Sequence, residues 1–279
     1  MIVFPNAKIN IGLNIVDVRP DGYHDIETVF VPVGFSDILE VITPEEQAPG
    51  GLVWNSDGID VNVPVEKNLC VRALRALQAQ VQLPTVGLSL HKIIPNGAGL
   101  GGGSSDAAYV LTALNSLLKL NIPPTRLHQI AASIGADCPF FIDSKPVYAT
   151  SKGDVFEPVD LSQLRSTSVV VVVPQGHVST AEAYSNIPCR KPSRHLKELV
   201  RQPIETWRDT IRNDFEDFVF KRLPDVELFK KKLYDMGAIY AQMSGSGSSV
   251  FGIFPPGAPL PTDTEFPNVR GFWSGPLNI

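Results

Sequence analysis

Pro95-Asn96-Gly97-Ala98-Gly99-Leu100-Gly101-Gly102-Gly103-Ser104-Ser105-Asp106 is the stretch on which the reading of this 279-residue chain turns. Its glycines, at 97, 99, 101, 102 and 103, carry a conformational-entropy cost that a plain connection would not warrant. Ahead of it, Val86, Leu88 and Leu90 alternate as a strand. Behind it, Ala107, Val110, Leu111, Leu114, Leu117 and Leu118 recur at helical spacing, so a helix is predicted to start near Ser104 or Ser105. Strand, glycine-rich loop and helix together make an anion cradle. Backbone N–H groups can approach a phosphate closely, and the helix N-terminus adds positive potential. Ser104 and Ser105 bring hydroxyls able to cap the helix, touch phosphate oxygens or reach a Mg²⁺ ion.

Two familiar phosphate motifs are excluded. Gly97–Gly102 fits GxGxxG, but a dinucleotide fold needs an acidic residue about 20 positions on, at the end of a second strand. No Asp or Glu lies between Asp106 and Asp137, and the interval reads as helix. Walker A requires a Gly-Lys pair, and the chain has none. The cradle is of another kind.

Outward from the loop, Ala7, Ile9, Ile11, Leu13 and Ile15 share one face and Lys8, Asn10, Gly12 and Asn14 the other, the period of a half-buried strand. Asp21-Gly22 marks a turn, with strand-like segments near 28–33 and 37–42. Helices are predicted over 68–80 and 125–134, the latter stopped by Gly135, and a strand over 147–150. Val169 to Val173 reads as a fully buried strand. Helical patterns follow at 203–219 and 223–236, then a strand at 238–243, a Gly/Ser loop at 244–249 and a strand at 250–254. The polar stretch 151–168 is the expected boundary, giving an N-terminal lobe of residues 1–158 and a C-terminal lobe of residues 159–279. The fold class is α+β.

Composition narrows the function. Hydrophobic residues make up 43% and charged residues 19%, ordinary for a globular enzyme. The net charge of −5 and the lack of a Lys/Arg cluster speak against a nucleic-acid binder. Cys70, Cys138 and Cys189 form no CxxC pair, and the histidines show no metal-ligand spacing, which fits a reducing compartment. The N-terminus lacks the pattern of a signal peptide, and the longest apolar run is far short of the roughly 20 residues that span a bilayer. The chain is expected in the cytoplasm, away from membranes, as a monomer or weak homodimer.

Residues 95–108 resemble the ATP-binding motif of the GHMP kinase superfamily, P-x-G-x-G-L-G-[GS]-[GS]-S-[SA]. Further blocks are similar to the superfamily branch acting on a cytidine-linked sugar alcohol: Ala7-Lys8-Ile9-Asn10, Arg19-Pro20-Asp21-Gly22-Tyr23-His24, Gly135-Ala136-Asp137-Cys138-Pro139-Phe140-Phe141, Asn213-Asp214-Phe215-Glu216 and Met243-Ser244-Gly245-Ser246-Gly247. They occur in family order. The resemblance implies a two-lobed fold, with an N-terminal lobe like ribosomal protein S5 domain 2 and a ferredoxin-like C-terminal lobe. It implies ATP and Mg²⁺ as cofactors. The expected substrate is 4-diphosphocytidyl-2-C-methyl-D-erythritol, phosphorylated on its 2-hydroxyl in non-mevalonate isoprenoid precursor synthesis.

The same resemblance implies residue roles. Asp137 and Lys8 become the catalytic pair, Asp137 receiving or orienting the hydroxyl proton and Lys8 favouring the ionised carboxylate and the developing negative charge. Residues Pro95 to Ser105 would hold ATP, with Asn68 and Lys92 as lesser nucleotide contacts and Ser105 as the metal ligand. Asn10, Tyr23, His24, Tyr184, Gly245 and Ser246 would meet the substrate beside Asp137, Tyr23 and His24 facing the cytosine. Two other readings stay open. A relative such as mevalonate diphosphate decarboxylase or homoserine kinase would share the cradle, but Tyr23-His24 and the triple glycine weigh against it. A non-catalytic nucleotide module would have no use for both Lys8 and Asp137.

Overall fold

The computed structural model describes residues 1–277. They divide into two compact units that interleave along the chain. One comprises Met1–Ala7, Ser36–Asn96 and Gly101–Ser144; the other comprises Lys8–Phe35, Gly97–Leu100 and the chain from Lys145 onward.

In the first unit a four-stranded sheet runs in the order Ile2–Val3, Ile38–Ile42, Val86–Lys92, Leu52–Gly58. The first three strands pair antiparallel, while Leu52–Gly58 runs parallel to Val86–Lys92. Three longer helices, Leu69–Gln78, Gly102–Leu117 and Pro124–Ile134, and the single turn Phe140–Asp143 accompany the sheet. Its core holds Leu39, Val41 and Leu88 from the sheet, and Leu74, Leu77, Val110, Leu114 and Ile130 from the helices. Each such burial contributes about 1.5–3 kcal/mol, so the apolar stripes behind the loop suffice to dock these helices. Helix Gly102–Leu117 starts two or three residues earlier than its apolar spacing predicts. Gly101, at φ +71°, turns the chain directly into the first helical turn, and its C=O accepts from Ser105 N–H at 2.9 Å. Strand Leu52–Gly58 gave no sequence signal because it is an edge strand ending in Asn55-Ser56-Asp57-Gly58.

The second unit has two four-stranded sheets. One runs Asn6–Val18, His24–Ser36, Val147–Thr150, Val155–Pro158; the other runs Tyr240–Met243, Val250–Phe254, Ser168–Pro174, Val269–Pro276. Val169–Val173 lies between two antiparallel partners and is buried throughout, as its unbroken apolar run requires. Helices Glu216–Arg222 and Pro224–Asp235 supply Val219, Val226, Phe229 and Leu233 to the same core as Val170, Val172 and Ala241. Strand Val155–Pro158 falls inside the stretch expected as a boundary, and strand Val269–Pro276 lies in the Gly- and Pro-containing tail, with an irregular register between Val269 and Gly271.

Two expectations are corrected. The helix predicted over 203–219 is interrupted: Trp207–Thr210 is a single turn, Ile211 is extended, and helix begins again only at Glu216. The break occurs because Leu13 exchanges backbone hydrogen bonds with the segment, accepting from Asp214 N–H and donating to Arg212 C=O. Nor is strand Asn6–Val18 half-buried. Lys8 and Asn10, on its polar face, are 4% and 1% exposed. Among the described residues no helix is long and apolar enough to cross a membrane.

Candidate active site

The burial of Lys8 and Asn10 is explained by what covers them within the second unit. Lys8 Nζ donates to Asn10 Oδ1 at 2.6 Å and to the Gly99 carbonyl at 3.0 Å, and lies 5.0 Å from the centroid of the Phe30 ring. Asn10 Nδ2 donates to Thr28 Oγ1, whose hydroxyl in turn donates to the Gly12 carbonyl. From the Gly/Ser loop, Ser244 Oγ donates to the same Gly99 carbonyl at 3.0 Å and accepts Asn10 N–H at 3.2 Å. One carbonyl of the glycine-rich segment therefore gathers Lys8 and Ser244. Gly99 allows this approach because it sits at φ +77°, and a Cβ there would fall 2.1 Å from the Ser244 carbonyl oxygen.

The Gly/Ser loop is itself clamped. Asn213 Nδ2 donates to the Met243 and Gly245 carbonyls at 2.9 and 2.8 Å, while its Oδ1 accepts Phe215 N–H. Glu216 accepts Met243 N–H at 3.0 Å and is paired with Lys230; burial pushes its carboxyl above the usual range, against the pull of Lys230. Ser249 N–H donates to the Ala98 carbonyl, and Ser246 Oγ lies 3.2 Å from Thr180 Oγ1. Asn213 and Glu216 were visible in sequence only as a family block without a role. His177, an exposed residue, sits on the loop with Nδ1 2.9 Å from the Gly97 carbonyl. No periodicity or spacing marks it.

His24 and Tyr184 come together with ring centroids 4.8 Å apart, and Tyr184 meets Phe215 edge-on. Tyr184 is carried by the short helix Thr180–Ser185 and His24 opens strand His24–Ser36. Tyr23 is 60% exposed, with Lys152 Nζ 5.0 Å from its ring centroid. An imidazole, two phenols and an ammonium at one end of a hairpin can offer a flat base both stacking and hydrogen bonding.

In the first unit, Pro95 and Asn96 lead out of the sheet and Gly101, Gly102, Gly103, Ser104 and Ser105 return into the helix. Burial pushes the Cys138 thiol up to about 11, with Ser104 opposing the rise. Cys138 N–H closes a turn onto Gly135 C=O at 3.2 Å. Half-buried Asp137 is carried in that turn, not in the extended elbow its place before Cys138-Pro139 suggests. That turn approaches the first turn of helix Gly102–Leu117, where a Cβ on Gly135 would fall 4.0 Å from Ser104 Oγ. Asn68 caps helix Leu69–Gln78, Oδ1 accepting Cys70 N–H at 2.9 Å. Lys92 is buried, its ammonium bonded to Asp37 and to Asp106. Among the described residues no group of three His, Cys, Asp or Glu could hold a metal. Ser105 Oγ is enclosed without a hydrogen-bond partner, a hydroxyl with lone pairs to offer. That fits a metal carried mainly by phosphate oxygens and water, as Mg²⁺ prefers.

Comparison with known proteins places the chain in a family. The model described as GHMP kinases N terminal domain matches residues 68–145, and that described as GHMP kinases C terminal matches residues 196–265. A protein of Parabacteroides distasonis named 4-diphosphocytidyl-2-C-methyl-D-erythritol kinase is 50% identical over 91% of this chain and 92% of its own length. One of the same name from Bacteroides fragilis is 49% identical over 92% of this chain and 93% of its own. A crystal structure of 4-(cytidine 5'-diphospho)-2C-methyl-D-erythritol kinase superposes with a TM-score of 0.76 at 29% identity, covering 92% of this chain and 91% of that one. Homoserine kinase from Cytophaga hutchinsonii, 17% identical with a TM-score of 0.60 over 91% of this chain and 86% of its own, shares the fold. With both domain models matched in order and half of the aligned residues shared with such a relative, the chain belongs to the GHMP kinase family.

Proposed function

We propose that this protein transfers the γ-phosphoryl group of ATP to the 2-hydroxyl of 4-diphosphocytidyl-2-C-methyl-D-erythritol, giving the 2-phosphate and ADP. The observation that carries the reading is the Gly99 carbonyl, where Lys8, Ser244 and the glycine-rich segment meet at one atom. Three separate sequence blocks converge there, and relatives bearing the kinase's name align with nearly the whole chain. The family models fall on either side of residue 158, supporting an ATP-binding lobe of residues 1–158 and a substrate lobe of residues 159–279.

In the proposed reaction the 2-hydroxyl oxygen bonds to the γ-phosphorus as the bond to the β,γ-bridging oxygen breaks. The hydroxyl proton passes to the Asp137 carboxylate and ADP leaves. Backbone N–H groups of the glycine-rich loop and the N-terminus of helix Gly102–Leu117 hold the phosphates. Lys8, fixed by Asn10 and Gly99, supplies positive charge to the transferring group. Mg²⁺ neutralises phosphate charge when bound, and Ser105 is the hydroxyl assigned to it. His24, Tyr184 and Tyr23 are assigned to the cytosine, and Asn10, Gly245 and Ser246 to the remainder of the substrate. The protein is proposed to work in the cytoplasm as a monomer or weak homodimer, in the non-mevalonate route to isoprenoid precursors.

The test is ADP release from Mg-ATP with a panel of alcohols. Turnover confined to the cytidine-linked methylerythritol is expected. Turnover on mevalonate or homoserine instead would keep the fold and overturn the substrate, and ATP binding without turnover on any alcohol would favour a non-catalytic module.

A further inference from the structure

Lys92 ends strand Val86–Lys92, and its side chain turns inward to a site with almost no solvent. Its ammonium donates to Asp37 Oδ2 and, at 2.7 Å, to Asp106 Oδ2. The other Asp37 oxygen accepts Ile93 N–H at 2.6 Å and Ile94 N–H at 2.8 Å, the two residues that lead into Pro95. Asp106 stands in the second turn of helix Gly102–Leu117. The ammonium also packs under Gly102, where a Cβ would lie 3.0 Å from Lys92 Nζ. One buried cation thus ties the strand end that enters the glycine-rich loop to the helix start that leaves it.

Such a triad is a poor device for stability alone. Desolvation of buried ions is costly, and well-packed apolar replacements are often as stable or more so. Here two carboxylates face a single ammonium, an arrangement less favourable than a matched pair. Burial lifts the Asp106 carboxyl to about 7, with Lys92 opposing and Asp37 adding to the rise, while Asp106 and Asp37 hold the Lys92 ammonium charged against its own burial. What the triad does provide is fixed geometry, because each charge has directed hydrogen bonds to backbone or to a partner on another element.

We propose that the Lys92–Asp37–Asp106 triad is a positioning device that fixes the two ends of the glycine-rich loop and so sets the spacing of the backbone N–H groups offered to the phosphates of ATP. The proposal rests on the reading of that loop as the ATP site. It gives Lys92 a role through the loop, not on the nucleotide.

Asp37→Asn is the most direct probe. An amide cannot serve both sides: its NH₂ must face either the Lys92 ammonium or the N–H groups of Ile93 and Ile94. The KM for ATP is expected to rise about tenfold, with that for the cytidine-linked alcohol held within about twofold. The neutral triple variant Asp37→Asn/Lys92→Met/Asp106→Asn separates geometry from charge balance. Recovery of the thermal midpoint with the ATP KM still raised supports positioning; recovery of both shows charge balance only and overturns it. A raised ATP KM in Lys92→Met alone, with Asp37→Asn unaffected, places the ammonium on the nucleotide and also overturns it. Should these variants not fold, Asp106→Asn keeps shape and removes one buried charge; an ATP KM about threefold higher supports the proposal and an unchanged one contradicts it. Wild-type protein that releases no ADP overturns the ATP-site reading itself, whereas active wild type with unaffected variants overturns only the triad.

Discussion

At Gly99 the requirement for a particular residue is steric and electrostatic together. Its φ of +77° and the 2.1 Å approach of an added Cβ to the Ser244 carbonyl leave room only for hydrogen. Gly99→Ala is expected to destabilise the protein by about 1–3 kcal/mol and to lower kcat, because the carbonyl that holds Lys8 must move. Urea midpoints and initial rates on the same preparation check both. Lys8→Met should lower kcat by about a hundredfold with a smaller change in the ATP KM, since an interaction that strengthens as charge develops acts mainly on the rate. A raised ATP KM with kcat unchanged would instead make Lys8 a ground-state ligand. Sequence showed Lys8 on the polar face of an alternating strand, but not that the face is buried. The cover comes from residues about 90 and 234 positions away, and a period of two carries no information about them.

Among the elements, the break at Ile211–Phe215 matters most. Apolar spacing runs on through this segment, so periodicity alone predicts a continuous helix over 203–219. Tertiary partners decide otherwise: beside the backbone pairing with Leu13, Asn213 satisfies Met243 C=O, Gly245 C=O and Phe215 N–H. Asn213→Ala removes all three bonds and is expected to cost about 2–4 kcal/mol in denaturant unfolding. Asn213→Asp should be at least as damaging, since it turns a carboxylate oxygen toward two carbonyls. An unfolding midpoint unchanged in both would show that the clamp does not hold the Ser244 loop. The element boundaries that were legible follow the same logic. The helix expected over 68–80 was legible because the spacing of its apolar residues is local, whereas strands Leu52–Gly58 and Val269–Pro276 sit at sheet edges with few apolar residues and carry no such signal.

For the whole molecule, the family and its fold were legible because six motif blocks lie in order along the chain. The interleaving of the two units was not, since alternation and helical spacing identify elements without naming their partners. Mg-ATP binding should raise the thermal midpoint, by an amount equivalent to about 2.7 kcal/mol at a nucleotide concentration 100 times Kd. No shift at any concentration would show that the loop holds no nucleotide. The central claim is that phosphoryl transfer to the cytidine-linked alcohol depends on Asp137. Its most direct test is a single-turnover comparison of wild type and Asp137→Asn with Mg-ATP and 4-diphosphocytidyl-2-C-methyl-D-erythritol, with thermal midpoints recorded alongside. The account predicts a loss of about 10²–10⁴ in rate with the midpoint preserved. A variant that turns over at the wild-type rate would contradict it.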